Sequence, residues 1–95
     1  MKIFALLDKK SNLYMPFFCP NVIEAKRSLF IELNNGADSP LNNSPNDFSL
    51  WLLGDVSNDG TVKTVVAPLF IEECFNLLDK KVEMVQPKFV NIEED

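Results

Sequence analysis

Phe48-Ser49-Leu50-Trp51-Leu52-Leu53-Gly54-Asp55-Val56-Ser57-Asn58-Asp59-Gly60-Thr61-Val62-Lys63-Thr64-Val65-Val66 decides the fold. Residues 48–55 carry large apolar groups on both sides of a two-residue period. Phe48, Leu50 and Leu52 point one way; Trp51 and Leu53, with Ser49, point the other. Asn58-Asp59-Gly60 is a hairpin turn signal, and the β-branched run Thr61–Val66 supplies the return strand. Asp55, Ser57, Asp59 and Gly60 also fit the first half of a calcium loop. The position that needs a bidentate glutamate is Val66, and both flanks read as strands, so the hairpin turn is the expectation.

Toward the N-terminus, the apolar stretch Lys2–Asp8, the polar cluster Asp8-Lys9-Lys10-Ser11-Asn12 and the stretch Leu13–Phe18 read as a second hairpin. Pro16 lacks an N–H for a ladder, which places its strand at a sheet edge or ends it near that residue. Asn21 is an N-cap with Glu24 in the capping-box position. Val22, Ala25, Leu29 and Leu33 then recur at helical spacing, widened by Ile23 and Phe30, until Asn34-Asn35-Gly36 stops the helix. The spacing predicts a helix over 21–34. Residues 35–47 are almost all turn formers and read as a loop pinned by Leu41. Beyond the central hairpin, Pro68 suits the first turn of a helix over 68–80, with Phe70, Ile71, Cys74, Phe75 and Leu78 as its buried stripe. Residues 82–90 read as a further short strand or a packed tail. The expectation is a single α+β domain over 1–90, ordered β-β-α-β-β-α, followed by an acidic tail at 91–95. Its antiparallel sheet has about four strands, with two helices on one face.

The chain has 95 residues, 46% of them hydrophobic and 24% charged, which excludes a collagen-like, disordered or disulfide-stapled chain. No apolar run is long enough for a transmembrane helix. Ile3–Leu7 is cut short by Asp8-Lys9-Lys10, too soon for a secretory signal. Cys19 and Cys74 form no CxxC pair and read as reduced thiols of a cytoplasmic protein. The net charge is −5, and residues 48–95 hold nine of the fourteen acidic groups. Such a field disfavours non-specific binding to nucleic acid. With no histidine, no GxSxG elbow and no glycine-rich phosphate loop, no catalytic residue is expected. No cofactor and no metal are expected either. Glu72 and Glu73 are adjacent on the expected helix and diverge as a solvated face.

Two surfaces stand out as candidate sites. Lys9, Lys10 and Tyr14, beside Phe17 and Phe18, interleave cations with aromatics in the way that grips single strands, and Lys26 and Arg27 extend the patch. Against this, the lysines solvate a turn and the aromatics fill the core. The second surface follows from counting faces. Two helices cover one face of the sheet, yet the first and third strands are apolar on both. A patch containing Phe4, Leu6, Trp51 and Leu53 therefore needs a cover. A second copy of the chain is the expected one, giving a homodimer, with segment 82–90 as the competitor.

Four blocks of the sequence carry a family likeness. Asp8-Lys9-Lys10 with Tyr14-Met15-Pro16-Phe17-Phe18-Cys19-Pro20, then Ala25-Lys26-Arg27, then Ser39-Pro40-Leu41, then Pro45-Asn46-Asp47-Phe48-Ser49-Leu50-Trp51-Leu52-Leu53-Gly54 stand in order over about residues 1–65. In this the chain resembles the small nonstructural protein of gokushovirus-type microviruses, tailless phages with single-stranded circular DNA. Asn58-Asp59-Gly60-Thr61 is a shortened form of that family's acidic turn, and Pro68 to Asp95 lie in its variable part. The resemblance implies a non-virion protein of the host bacterial cytoplasm, acting where single-stranded genomes are made or packaged. Single-stranded DNA or replication proteins would be its partners, with no cofactor and no catalytic residues. The alternative is a homo-oligomeric interaction module that does not touch nucleic acid.

Overall fold

Lys2–Asp8 (β1) and Leu13–Cys19 (β2) pair antiparallel, from Lys2 opposite Cys19 to Asp8 opposite Leu13. The Asp8 carboxylate closes the turn between them by accepting from the Lys10 backbone N–H at 3.0 Å, and Asn12 takes a left-handed φ of 59°. The computed structural model describes residues 1–79. Its sheet is four-stranded, in the order β2-β1-β3-β4, where β3 is Phe48–Val56 and β4 is Val62–Glu73. β1 and β3 are central; β2 and β4 are edges. Pro16 therefore sits on an edge strand, where a residue without an N–H is tolerated.

Helix α1 spans Val22–Leu33, capped at its start by the Asn21 side chain accepting from the Glu24 N–H at 2.9 Å. Such a cap stabilises a helix by about 1 kcal/mol. Ala25, Leu29 and Leu33 face the sheet and form the core with Phe4, Phe48, Leu50 and Cys74. Asn34 ends the helix and also fastens it. Its side-chain amide donates to the Phe30 and Leu77 carbonyls at 2.7 and 3.1 Å, and its oxygen accepts from the Asp79 N–H at 2.8 Å. The stretch read as a loop contains a short helix, Pro40–Asn43 (α2), and a 3-10 turn at Pro45–Asp47. Ser39 caps α2 and Pro40 is its first residue, a helix-start signal hidden by the turn-forming composition around it. Leu41 packs against the core as expected.

The α+β class and the antiparallel four-stranded sheet agree with the sequence reading, but the second helix does not form. Residues 62–73 run on as β4, and only Cys74–Leu77 turns, as a 3-10 helix. The free edge of β3 pairs Trp51 with Phe70, Leu50 with Glu72 and Ser49 with Glu73, and that ladder outweighs the helical spacing of Phe70, Ile71 and Cys74. Pro68 is accommodated because the ladder skips it: Leu52 pairs with Leu69 and Gly54 with Thr64, leaving Val65–Pro68 without β3 partners. Gly54 makes this pinch possible. A Cβ there would run into the Lys63 carbonyl and lie 3.0 Å from Thr64 Cα. Within the Asp55–Gly60 segment, Asp55 and Val56 end β3 and Ser57–Gly60 is a tight turn, with the Gly60 N–H donating to the Ser57 carbonyl at 2.9 Å. The segment 82–90 and the tail 91–95 lie outside the described residues.

Candidate functional site

Cross-strand partners share a face of the sheet, so the register assigns sides. Phe4 stands opposite Phe17 and Leu52, and Leu6 opposite Leu50, on the side covered by α1. Ala5 stands opposite Pro16 and Trp51, and Leu7 opposite Tyr14 and Ser49, on the side that no helix covers among the described residues. Phe18, opposite Ile3, and Phe70, opposite Trp51, belong to the open side as well.

The open face carries a row of rings from three of the four strands. Tyr14 on β2 meets Trp51 on β3 edge to face, with centroids 6.2 Å apart, and Trp51 meets Phe70 on β4 at 5.4 Å. Such pairs add about 0.5–1.5 kcal/mol each beyond burial. Ala5, Leu7 and Ser49 lie on this face and are buried all the same. The indole is held in place: Trp51 Nε1 donates to Ser49 Oγ at 2.8 Å. Phe18 and Phe70 stay more than half exposed, at 63% and 51%. Phe17 goes the other way, stacking on Phe4 at 5.9 Å, so the two adjacent phenylalanines divide between core and surface.

The basic residues singled out from the sequence do not gather around these rings. Lys9 bonds Glu73 at 2.7 Å, at the end of the sheet, and Lys10 lies 3.9 Å from Asp47. Lys26 pairs with Glu72 at 3.3 Å and Arg27 with Glu24 at 3.7 Å, both from α1, on the opposite layer from Tyr14. Of the proposed nucleic-acid set, Tyr14 alone belongs to the aromatic row. The proposed interface set divides too. Phe4 is fully buried under α1 and Leu6 packs against the same core, while Trp51 is on the open face. Leu53 is the extra residue of a bulge, with no partner between Leu52 opposite Phe4 and Gly54 opposite Ile3.

Titration adds little chemistry here. The side-chain hydrogen bond from Asn76, then Lys26, holds the Glu72 carboxyl below the usual glutamate range. Burial, reinforced by Glu73, pushes the Cys74 thiol up to about 12, so it remains a neutral core group.

A family model described as Phage ORF5 protein matches residues 1–77, which takes in every element of the sheet and α1. The chain belongs to the Phage ORF5 protein family. It is a phage protein, and the aromatic row, α1 and the buried core all fall within the part that the family shares. No curated protein and no solved structure matches it. Among the described residues of this Phage ORF5 family member, no helix is long and apolar enough to cross a membrane. Sequence reasoning missed Phe70, hidden by its assignment to a helix, and Ser49, whose role depends on where the indole lies. Phe18 was in view, and only the register assigned its face.

Proposed function

We propose that this phage protein is a nonstructural factor of a microvirus-type single-stranded DNA phage. It acts in the host cytoplasm during synthesis or packaging of the genome and touches single-stranded DNA through its open sheet face. The observation that carries this reading is the Tyr14–Trp51–Phe70 row, with exposed Phe18 on the same face, which no helix among the described residues covers. Stacked bases gain about 1–3 kcal/mol each on such rings, whatever their sequence. Backbone charge contributes little, because Lys9 and Lys10 are the cations of the proposed set outside α1 and both are ion-paired. With about two phosphates neutralised, log K should fall with log salt at a slope of roughly −1.4. Trp51 is the chain's single tryptophan and reports directly. Titration with oligothymidylate at two salt concentrations should quench its fluorescence, with that shallow slope, and Lys9→Glu with Lys10→Glu should weaken binding without a large melting shift. No quenching at low salt refutes DNA contact.

A second reading, pairing of the open face with another copy and no nucleic-acid contact, is favoured by the ion-pairing of Lys9, Lys10, Lys26 and Arg27. Light scattering on the eluted protein separates the two. A mass of 10.8 kDa that Trp51→Lys leaves unchanged refutes the dimer.

A further inference from the structure

Two features outside the aromatic face fit each other. The first is the stretch Val65-Val66-Ala67-Pro68, which bulges from edge strand β4 without β3 partners. Val66 is fully exposed there, and Ala67 and Pro68 are exposed beside it. Lys63, two residues before the bulge, forms no ion pair among the described residues. The second is a cleft of about 360 Å³ on the helix side, toward the β2 edge, where α1 stops short of covering the sheet. Leu6, Met15, Pro40, Leu41 and Phe48 give it apolar walls, with Ser39 alongside. Its rim carries two carboxylates. Asp8 is occupied by the Lys10 backbone N–H, and Glu32 forms no ion pair among the described residues. The two bases that follow Asp8 are engaged elsewhere, Lys9 with Glu73 at 2.7 Å and Lys10 with Asp47 at 3.9 Å.

An exposed apolar bulge beside an unmatched cation and an apolar cleft beside an unmatched anion are alike in polarity and complementary in sign. We propose that the Val65–Pro68 bulge of one copy seats in the cleft of a second copy, with Lys63 reaching Glu32 at its rim. The surface differs from the aromatic face. Because β4 and β2 are opposite edges of the sheet, the contact joins unlike patches, leaving a free bulge on one copy and a free cleft on the other. Such contacts propagate into rings or filaments instead of stopping at a pair. Edge-to-edge strand pairing is an unsuitable route, since Pro16 interrupts one edge and Pro68 with its bulge the other.

The test is mass against concentration by light scattering and sedimentation, using the full chain. The parent should exceed 10.8 kDa and grow with concentration. Val66→Asp spoils the bulge and Met15→Glu the cleft; both residues are exposed, so each variant should fold and stay at the monomer mass. Mixing the two should restore a 1:1 pair, since one retains the cleft and the other the bulge. Lys63→Glu should weaken association by roughly tenfold, and adding Glu32→Lys in the same chain should restore it. A parent that remains monomeric overturns the proposal, as does a mixture that forms no pair. Loss of assembly in Trp51→Lys but not in Val66→Asp also overturns it and assigns association to the aromatic face. If Met15→Glu lowers the melting temperature without changing the parent's mass, the cleft has another occupant and the proposal fails.

Discussion

Trp51→Phe isolates a single hydrogen bond on the open face. Phenylalanine keeps an aromatic ring between Tyr14 and Phe70, so both edge contacts are retained in kind; the 2.8 Å bond from the indole N–H to Ser49 Oγ is lost. Ser49 is 1% exposed, and the indole N–H is the donor its hydroxyl oxygen accepts from. A buried hydroxyl stripped of its partner costs about 1–3 kcal/mol. For a domain of this size, each kcal/mol lowers the melting temperature by roughly 4–8 °C. The converse change is milder. In Ser49→Ala the half-buried indole turns its N–H to water, at a cost of about 0.5–1.5 kcal/mol. The double variant leaves neither group orphaned, so its cost should fall short of the sum by about 1 kcal/mol. Urea unfolding followed by far-UV circular dichroism, which does not need the tryptophan, measures all three. An additive cycle, or a Trp51→Phe loss below about 0.5 kcal/mol, refutes the claim that Ser49 fixes the indole.

Gly54→Ala should cost about 1–3 kcal/mol or more, because the obstructing atoms belong to the Lys63 and Thr64 backbone and cannot swing away; thermal unfolding within a degree of the parent would refute the pinch. Alkylation at about pH 8 should label Cys19 first and reach Cys74 only through unfolding, because Cys74 is fully buried and its thiol stays neutral; equal rates would refute this. Since the folded Cys74 pKa lies above the ordinary 9.0, the unfolded state gains by ionising first, so stability should fall as the pH climbs past 9.0. The Glu72 carboxyl is displaced in the opposite direction. Its contribution is complete above the ordinary 4.5 and is lost as the pH drops below it, so Glu72→Gln should flatten the acid limb of a melting-temperature profile. An unchanged limb would refute the Asn76 and Lys26 contacts.

Helix α1 was legible because its signals are local: the Asn21 cap, the Ala25–Leu29–Leu33 stripe and the Asn34 stop lie within one stretch and need no partner to be read. The Asp59-Gly60 turn and the edge position of Pro16 are equally local. Segment 68–80 was not legible, because Phe70, Ile71 and Cys74 suit a helical stripe while Leu69 to Glu73 also suit a strand. The unpaired edge of β3, distant in sequence, settled which. The basic residues Lys9, Lys10 and Lys26 looked like part of one patch for the same reason: their acidic partners Glu73, Asp47 and Glu72 are found only in three dimensions, while the Arg27–Glu24 pair is a local one within α1.

By itself the sequence determined the class of the fold, the alternation within each strand and the apolar character of both sheet faces. Tertiary structure alone decided how those faces combine. Alternation says that Phe4 and Ala5 point apart and that Leu50 and Trp51 point apart, but it leaves open which member of one strand meets which of the next. The register sets Ala5 against Trp51 and Phe4 against Leu52, one residue of bulge included. Phe4 is thereby buried beneath α1 and Trp51 is placed on the opposite side, between Tyr14 and Phe70. A shift of one residue between neighbouring strands exchanges core and surface, and it is fixed by contacts between segments as far apart as Lys2 and Asp55.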